Sequence, residues 1–217
     1  ISLGYSLDKF SYSVLNRLPS YCTYGILNYS TKETYKDSSE ITHPLIREAL
    51  YLFPELGFIE LSTYGFASGG SGLGGSSSFL LSLLAAINIS LDKSIQVDKL
   101  SNLACEIEIS NLSKPIGRQD QYLSANGGIS ALKFKKNGVV QKLTISNEKI
   151  NMLSRVIKSL YLVPSYKSRP ADKVLHALKD NPNSAQSFIK IREIANNFVV
   201  LEETRDSVLE SYFHQSM

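Results

Sequence analysis

The sequence predicts an α+β fold in two parts, and three observations carry that prediction. Strands and helices do not alternate strictly along the chain. Asn137-Gly138 stands between two apolar runs and marks a β-hairpin. A glycine-rich turn, residues 67–78 (Ala-Ser-Gly-Gly-Ser-Gly-Leu-Gly-Gly-Ser-Ser-Ser), joins a strand-like segment at residues 59–64 to a nearly unbroken apolar run at residues 79–87. Five of the thirteen glycines fall within that turn, so the chain is organised around it.

Taken in order, residues 5–18 alternate as a strand, with Tyr5, Leu7, Phe10, Tyr12 and Val14 marking one or two of its faces. Residues 21–29 read as a second strand and 30–40 as a polar loop. A helix begins near Thr42, with Pro44 suited to its first turn, and runs to Phe53. Residues 58–64 form the strand that feeds the glycines, and a helix follows from Ser76. Ser94 is the expected cap of the next helix, over residues 95–112, whose apolar stripe is Val97, Leu100, Ala104 and Ile107. Residues 115–128 read as a loop, 129–135 and 139–143 as the hairpin, and 148–159 as helix or irregular chain. A short strand is expected at 160–163 and a helix near Pro170 to Asp180. The last helix starts about Ser184, with Phe188, Ile191, Ala195 and Phe198 inward. The domain boundary is placed near residue 146, with one domain over 1–145 and the start of a second over 146–217.

Composition excludes several classes. At 217 residues and 43% hydrophobic, the chain can bury one substantial core or two modest ones. Its net charge of +3 comes with no concentrated basic block, which argues against a nucleic-acid partner. Residues 79–87, the longest apolar run, are too few to span a bilayer. Cys22 and Cys105 have neither metal-ligand spacing nor a disulfide framework. The expectation is a cytoplasmic protein that binds no membrane. The chain opens on Ile1 and stops inside a predicted helix, which reads as a piece of a longer protein.

The glycine turn describes an anion cradle. Glycine lets the backbone approach phosphate oxygens closely, and the amides at the helix start point at negative charge. The three serines can cap the helix, and one hydroxyl can reach a magnesium ion. A flexible Gly/Ser linker has the same composition, but a linker should not be wedged between a strand and a buried helix. The turn is not a P-loop, since no Lys-Ser/Thr follows, nor a dinucleotide fingerprint, since no acidic residue stands about twenty residues on at a strand end.

Two carboxylates complete the chemistry. At about 100° per residue, Glu108 falls beside the apolar stripe of its helix, where a carboxylate needs a partner or a cation, whereas Glu106 falls near the opposite side. Phosphoryl transfer needs a phosphate cradle, a cation held by oxygen ligands and a group orienting the attacking hydroxyl. Ser76 and Glu108 can complete the metal shell, Asp120 can take the hydroxyl proton, and Arg118 can stabilise charge on the transferring group. The plainer readings are a turn-forming aspartate and a surface ion pair.

Residues 69–78 resemble the second motif of the GHMP kinases, whose usual form is Pro-x-x-x-Gly-Leu-Gly-Ser-Ser. Glu106-Ile-Glu-Ile, then Pro115-Ile-Gly-Arg-Gln-Asp-Gln-Tyr122 and Gly127-Gly128, are similar to the D-glycero-D-manno-heptose 7-phosphate kinases and fucokinase-like relatives. His43-Pro-Leu-Ile-Arg-Glu-Ala-Leu50 and Ser168-Arg-Pro-Ala-Asp-Lys-Val-Leu175 share that likeness. The resemblance implies an α+β amino-terminal domain, an incomplete ferredoxin-like carboxy-terminal domain, ATP and Mg2+ as cofactors, and a sugar or sugar phosphate as acceptor. Gly69, Gly70, Ser71, Gly72, Leu73, Gly74, Gly75, Ser76 and Ser77 would wrap the ATP phosphates. By motif position Ser76 and Glu108 bind magnesium and Asp120 is the base. Arg118 stands where relatives often have lysine, and Gln119, Gln121 and Tyr122 are sugar candidates through their neighbourhood with Asp120.

The departures are definite. Gly75 replaces the first serine of the motif, the usual proline before the loop is absent, and the family's third motif is not in the chain. Its first motif is represented only by Ile1-Ser-Leu-Gly4, which points to a stretch missing before Tyr5. The implied activity is phosphorylation of the anomeric hydroxyl of a heptose 7-phosphate, for surface polysaccharide precursors. Fucose or free heptose as acceptor, or a non-catalytic nucleotide- or sugar-binding relative, are the alternatives.

Overall fold

The computed structural model describes residues 1–65, 71–163, 175, 178 and 184–200. In chain order the first elements are β1 (Ser2–Tyr5), β2 (Ser11–Arg17), β3 (Gly25–Asn28), β4 (Lys32–Tyr35), α1 (Pro44–Tyr51), β5 (Ile59–Gly65) and α2 (Gly75–Ser90). There follow α3 (Val97–Cys105), a π-helical turn (Glu106–Asn111), α4 (Gln119–Asn126), β6 (Ile129–Phe134), β7 (Val140–Leu143), α5 (Asn147–Lys158) and α6 (Ser184–Val200). The mixture of antiparallel sheets and helices is the expected α+β class.

Chain contacts divide the molecule into two units. The larger holds Leu7–Asn126, and the smaller holds Ile1–Ser6 with the described residues of Gly127–Lys167 and His176–Met217. In the larger unit the strands run β2-β5-β3-β4. β2 and β5 are antiparallel (Leu15 opposite Leu61), β3 and β5 parallel (Leu27 opposite Leu61), and β3 and β4 antiparallel. The inner residues of the central strands, Leu27, Ile59 and Leu61, have no exposure. They share one core with Ile46 and Ala49 of α1, Leu80, Leu83, Leu84 and Ile87 of α2, and Leu100, Ala104 and Ile107. Each large apolar side chain buried there contributes roughly 1.5–3 kcal/mol. That burial anchors α2 over most of its length, so its first turn is a rigid platform. Ser78 donates to Ser11 (3.1 Å), and Ser13 and Ser82 share a hydrogen bond of 2.8 Å, which ties the polar seam of α2 to β2.

The smaller unit pairs β1 with β6 (Leu3 opposite Ala131) and β6 with β7, all antiparallel. Met152 and Leu153 of α5 and Phe198 of α6 are buried with Leu3 and Ile129 packed against them. The hairpin turns at Gly138, whose φ of +83° needs the freedom of glycine. Ser146 caps α5 by accepting from the Lys149 amide.

Several expectations change. The strand expected over 5–18 narrows to β2, with only Tyr5 of that run in β1 and residues 6–10 in neither. The second strand shrinks to β3, and the polar loop hides β4, whose inward Tyr35 alternates with exposed neighbours. His43 rather than Thr42 caps α1, its Nδ1 accepting from the Ile46 amide. The helix capped by Ser94 begins instead at Val97 with Gln96 as cap, and Val97 is exposed. The loop at 115–128 contains α4, and residues 160–163 form no strand. Phe188 and Ile191 are exposed, with Phe198 the buried member of α6. The helix expected near Pro170 to Asp180 falls largely outside the described residues. No helix among the described residues is long and apolar enough to cross a membrane.

Candidate active site

The start of α2 is built for exposed amides. Gly72 and Gly74 take φ of +75° and +67°, conformations that cost a side chain roughly 1 kcal/mol or more. Ser71 is exposed, and its hydroxyl accepts weakly from the Leu73 amide (3.4 Å). Gly74 is the N-cap and supplies no side chain, so the first amides of the helix carry no side-chain cap. The serines do not cap it, contrary to expectation. Ser76 and Ser77 turn their hydroxyls to Glu108 and Ser78 turns to β2. Gly69 and Gly70 lie outside the described residues.

Glu108 reaches this turn because the helix before it changes pitch. From Glu106 to Asn111 the backbone winds as a π-helix, and the Leu112 amide donates to Ile107 five residues back (3.0 Å). The wider turn buries two consecutive residues, Ile107 in the core and Glu108 beneath α2. Such π segments are rare and concentrate at functional sites. Glu108 is 1% exposed and fully engaged. Its Oε1 accepts from Ser76 and from the Lys114 ammonium (2.9 Å), and its Oε2 from Ser77 (2.9 Å) and the Gln121 amide (2.7 Å). Burial alone would raise its pKa, but the hydrogen bonds from Ser76 and Lys114, with the Lys114 charge, outweigh it and hold the carboxyl below the ordinary glutamate range.

Asp120 sits on the exposed side of the first turn of α4. A Cβ placed on Gly74 would meet its carboxyl group at 3.8 Å, so Asp120 borders the glycine turn. Surrounding protein, and then the charge of Glu108, push its pKa up, against a hydrogen bond with Gln119. A raised carboxylate that solvent can reach is a better proton acceptor. Gln119 shares this outer side of α4, whereas Gln121 and Tyr122 face inward at 0% and 2% exposure. Gln121 Oε1 is the buried side-chain atom that lacks a hydrogen-bond partner among the described residues.

Arg118 is held from below. Its guanidinium donates to Asn102 Oδ1 (2.6 Å) and to the Tyr122 hydroxyl (3.3 Å), and it lies 5.5 Å from the Tyr122 ring. Tyr122 in turn donates to Asn102 (2.7 Å). The sequence therefore brings Gly74, Ser76, Ser77, Glu108 and Asp120 together, as expected. It gave no warning of Lys114, which bridges Glu108 and Ser76 Oγ (2.9 and 3.2 Å), because a lone lysine in a loop has no periodic signal. Asn102 was equally silent.

One carboxylate and one hydroxyl, both hard oxygen donors, suit Mg2+, which is commonly held by one or two carboxylates plus substrate phosphates. The ammonium between the same two oxygens shows that the spot accepts a cation. Glu108 and Ser76 therefore fit the ion.

Residues 44–128 match the family described as GHMP kinases N terminal domain. A stretch of 89 residues, 40% of this chain, is 36% identical to the D-glycero-alpha-D-manno-heptose 7-phosphate kinase of Campylobacter jejuni. The matched stretch spans 26% of that relative's length. The fold resembles a crystal structure of a D-glycero-D-manno-heptose 1-phosphate kinase from Bacteriodes thetaiotaomicron, with TM-score 0.67 and 19% identity over 99% of this chain and 64% of that one. It also resembles the mevalonate kinase of Methanococcus jannaschii, with TM-score 0.63 and 15% identity over 94% of this chain and 67% of that one. At such identities the structural likeness speaks for the fold.

Proposed function

We propose that this chain, which has a GHMP-kinase fold and whose residues 44–128 belong to the GHMP kinase amino-terminal family, is the ATP-binding part of a sugar kinase acting on a heptose 7-phosphate. The observation that carries the reading is the convergence of Ser76, Ser77 and Glu108 beneath an uncapped, glycine-led helix start, with Asp120 at its border. The likeness to a heptose 7-phosphate kinase supports the acceptor.

In this reading the glycine turn, Gly69 to Gly75, and the first amides of α2 bind the ATP phosphates. Ser76 and Glu108 would hold Mg2+, which would neutralise phosphate charge when bound. Asp120 accepts the proton of the anomeric hydroxyl as its oxygen bonds to the γ-phosphorus and the bond to the bridging oxygen breaks, leaving ADP and the sugar 1-phosphate. Positioning and electrostatics supply the rate, with no covalent enzyme intermediate. Arg118, held by Asn102 and Tyr122, places positive charge near the transferring group. Gln119 stays a sugar candidate. Burial moves Gln121 and Tyr122 to support of Glu108 and Arg118. A cytoplasmic place, a role in surface polysaccharide precursors, and division into domains at residue 146 belong to the same proposal.

The test is ADP release from Mg-ATP by the full-length protein with D-glycero-D-manno-heptose 7-phosphate, free heptose and fucose as acceptors. Preferred turnover of the 7-phosphate supports the assignment. Equal turnover with and without the terminal phosphate removes the 7-phosphate assignment and leaves a sugar kinase.

A further inference from the structure

The bridge made by Lys114 goes beyond this reading and rests on it. Its ammonium contacts Glu108 Oε1 and Ser76 Oγ, the two oxygens assigned to the metal. The bridge is built by local backbone rather than by chance reach. Ser113 takes φ of +53°, a left-handed conformation rare for serine, and the Lys114 amide then donates to the Glu108 carbonyl (3.0 Å). This closure folds Lys114 back over Glu108. A carboxylate with 1% exposure needs a compensating cation at all times, because an uncompensated buried charge is strongly destabilising. An ammonium and a divalent ion cannot share the same two oxygens without close repulsion.

We propose that Lys114 is a resident stand-in for the divalent cation. It keeps Glu108 and Ser76 aligned in the nucleotide-free protein and yields those oxygens when the metal arrives with the nucleotide. Lys114 is thus a positioning residue that sets how much Mg2+ the protein requires. Metal and ammonium weaken each other's hold on Glu108 by the same factor.

The test titrates Mg2+ into the full-length protein with a fluorescent, non-hydrolysable ATP analogue, comparing wild type with Lys114→Met. The half-saturating Mg2+ concentration for analogue binding falls about tenfold in the variant, one ordinary step of differential affinity. An unchanged or higher requirement overturns the proposal. A second measurement needs no folded variant: lysines of the wild-type protein are 13C-methylated and the Lys114 resonance is followed. Mg2+ added to the analogue-loaded protein moves that resonance to the position of a solvated lysine. If the analogue alone moves it, Lys114 is a phosphate ligand and the stand-in role is wrong; if nothing moves it, Lys114 is a fixed structural clamp. Failure of wild type to bind the analogue at any Mg2+ concentration defeats the kinase reading and this one with it. Binding by wild type with an unshifted variant defeats this one alone.

Discussion

Glu108 and Asp120 both border the start of α2, and the chain surrounds them in opposite ways. Glu108 is buried and accepts four hydrogen bonds, from Ser76, Ser77, Lys114 and Gln121, which hold it ionised. Asp120 is open to solvent, and crowding and the nearby charge of Glu108 raise its pKa against a single opposing hydrogen bond with Gln119. Pushing two carboxylates apart in this way suits them to the two roles proposed above. A carboxylate that must bind a cation is kept charged, and one that must take a proton is made more basic.

The largest effect expected from breaking this contrast is on turnover. Asp120→Asn should lower sugar-dependent ADP release by roughly 10²–10⁴-fold, the usual contribution of a positioned base, while nucleotide binding is retained. Next comes stability at Glu108. Glu108→Gln weakens the charge-assisted bonds from Lys114 and the serines and should cost about 2 kcal/mol in urea unfolding at neutral pH. The folded pKa of Glu108 lies below its unfolded value, so its stabilisation is present above the ordinary glutamate range and is lost as pH falls through the lowered folded value. The Gln variant should therefore lose less stability than wild type on acidification.

Gly74→Ala sharpens the contrast from the other side. The new Cβ makes ordinary contact with Asp120 at 3.8 Å, so the strain comes from φ alone, about 1 kcal/mol in thermal unfolding. The smallest effect is a gain. The folded pKa of Asp120 is raised, so the aspartate costs stability once pH rises past its unfolded value. Asp120→Asn should raise Tm slightly at neutral pH, and the gain should fade below the ordinary aspartate range, opposite in sign to Glu108→Gln.

Much of this site was legible in the sequence because its signals are local. Glycines before a buried helix and a carboxylate beside an apolar stripe each follow from spacing; Glu108 lies on the buried side as that reading has it, whereas Asp120, read as a loop residue, stands in the first turn of α4. The misses come from contacts that spacing does not encode. Helical periodicity at a fixed angle treats residues 95–112 as one helix and does not foresee the π turn that buries Ile107 and Glu108 together. The Pro, Gly and Asn around α4 read as loop residues, so the inward direction of Gln121 and Tyr122 was hidden. β4 was missed because only Tyr35 of its four residues is buried, too little to set a period. Serines that satisfy a carboxylate rather than their own helix depend on where Glu108 arrives, a tertiary matter. The fold class survived these misses, since strand pairs, hairpin and buried helix were each marked by several residues.

The central claim is that the start of α2 binds nucleotide phosphates with a cation on Glu108 and Ser76. It is tested most directly by a crystal structure of the full-length protein with Mn2+ and a non-hydrolysable ATP analogue. The account predicts an anomalous peak bonded to Glu108 and Ser76, phosphates against residues 72–77, and Asp120 facing the terminal phosphate. Phosphates bound elsewhere, or a metal that leaves Glu108 in its bonds to Lys114 and the serines, would contradict it.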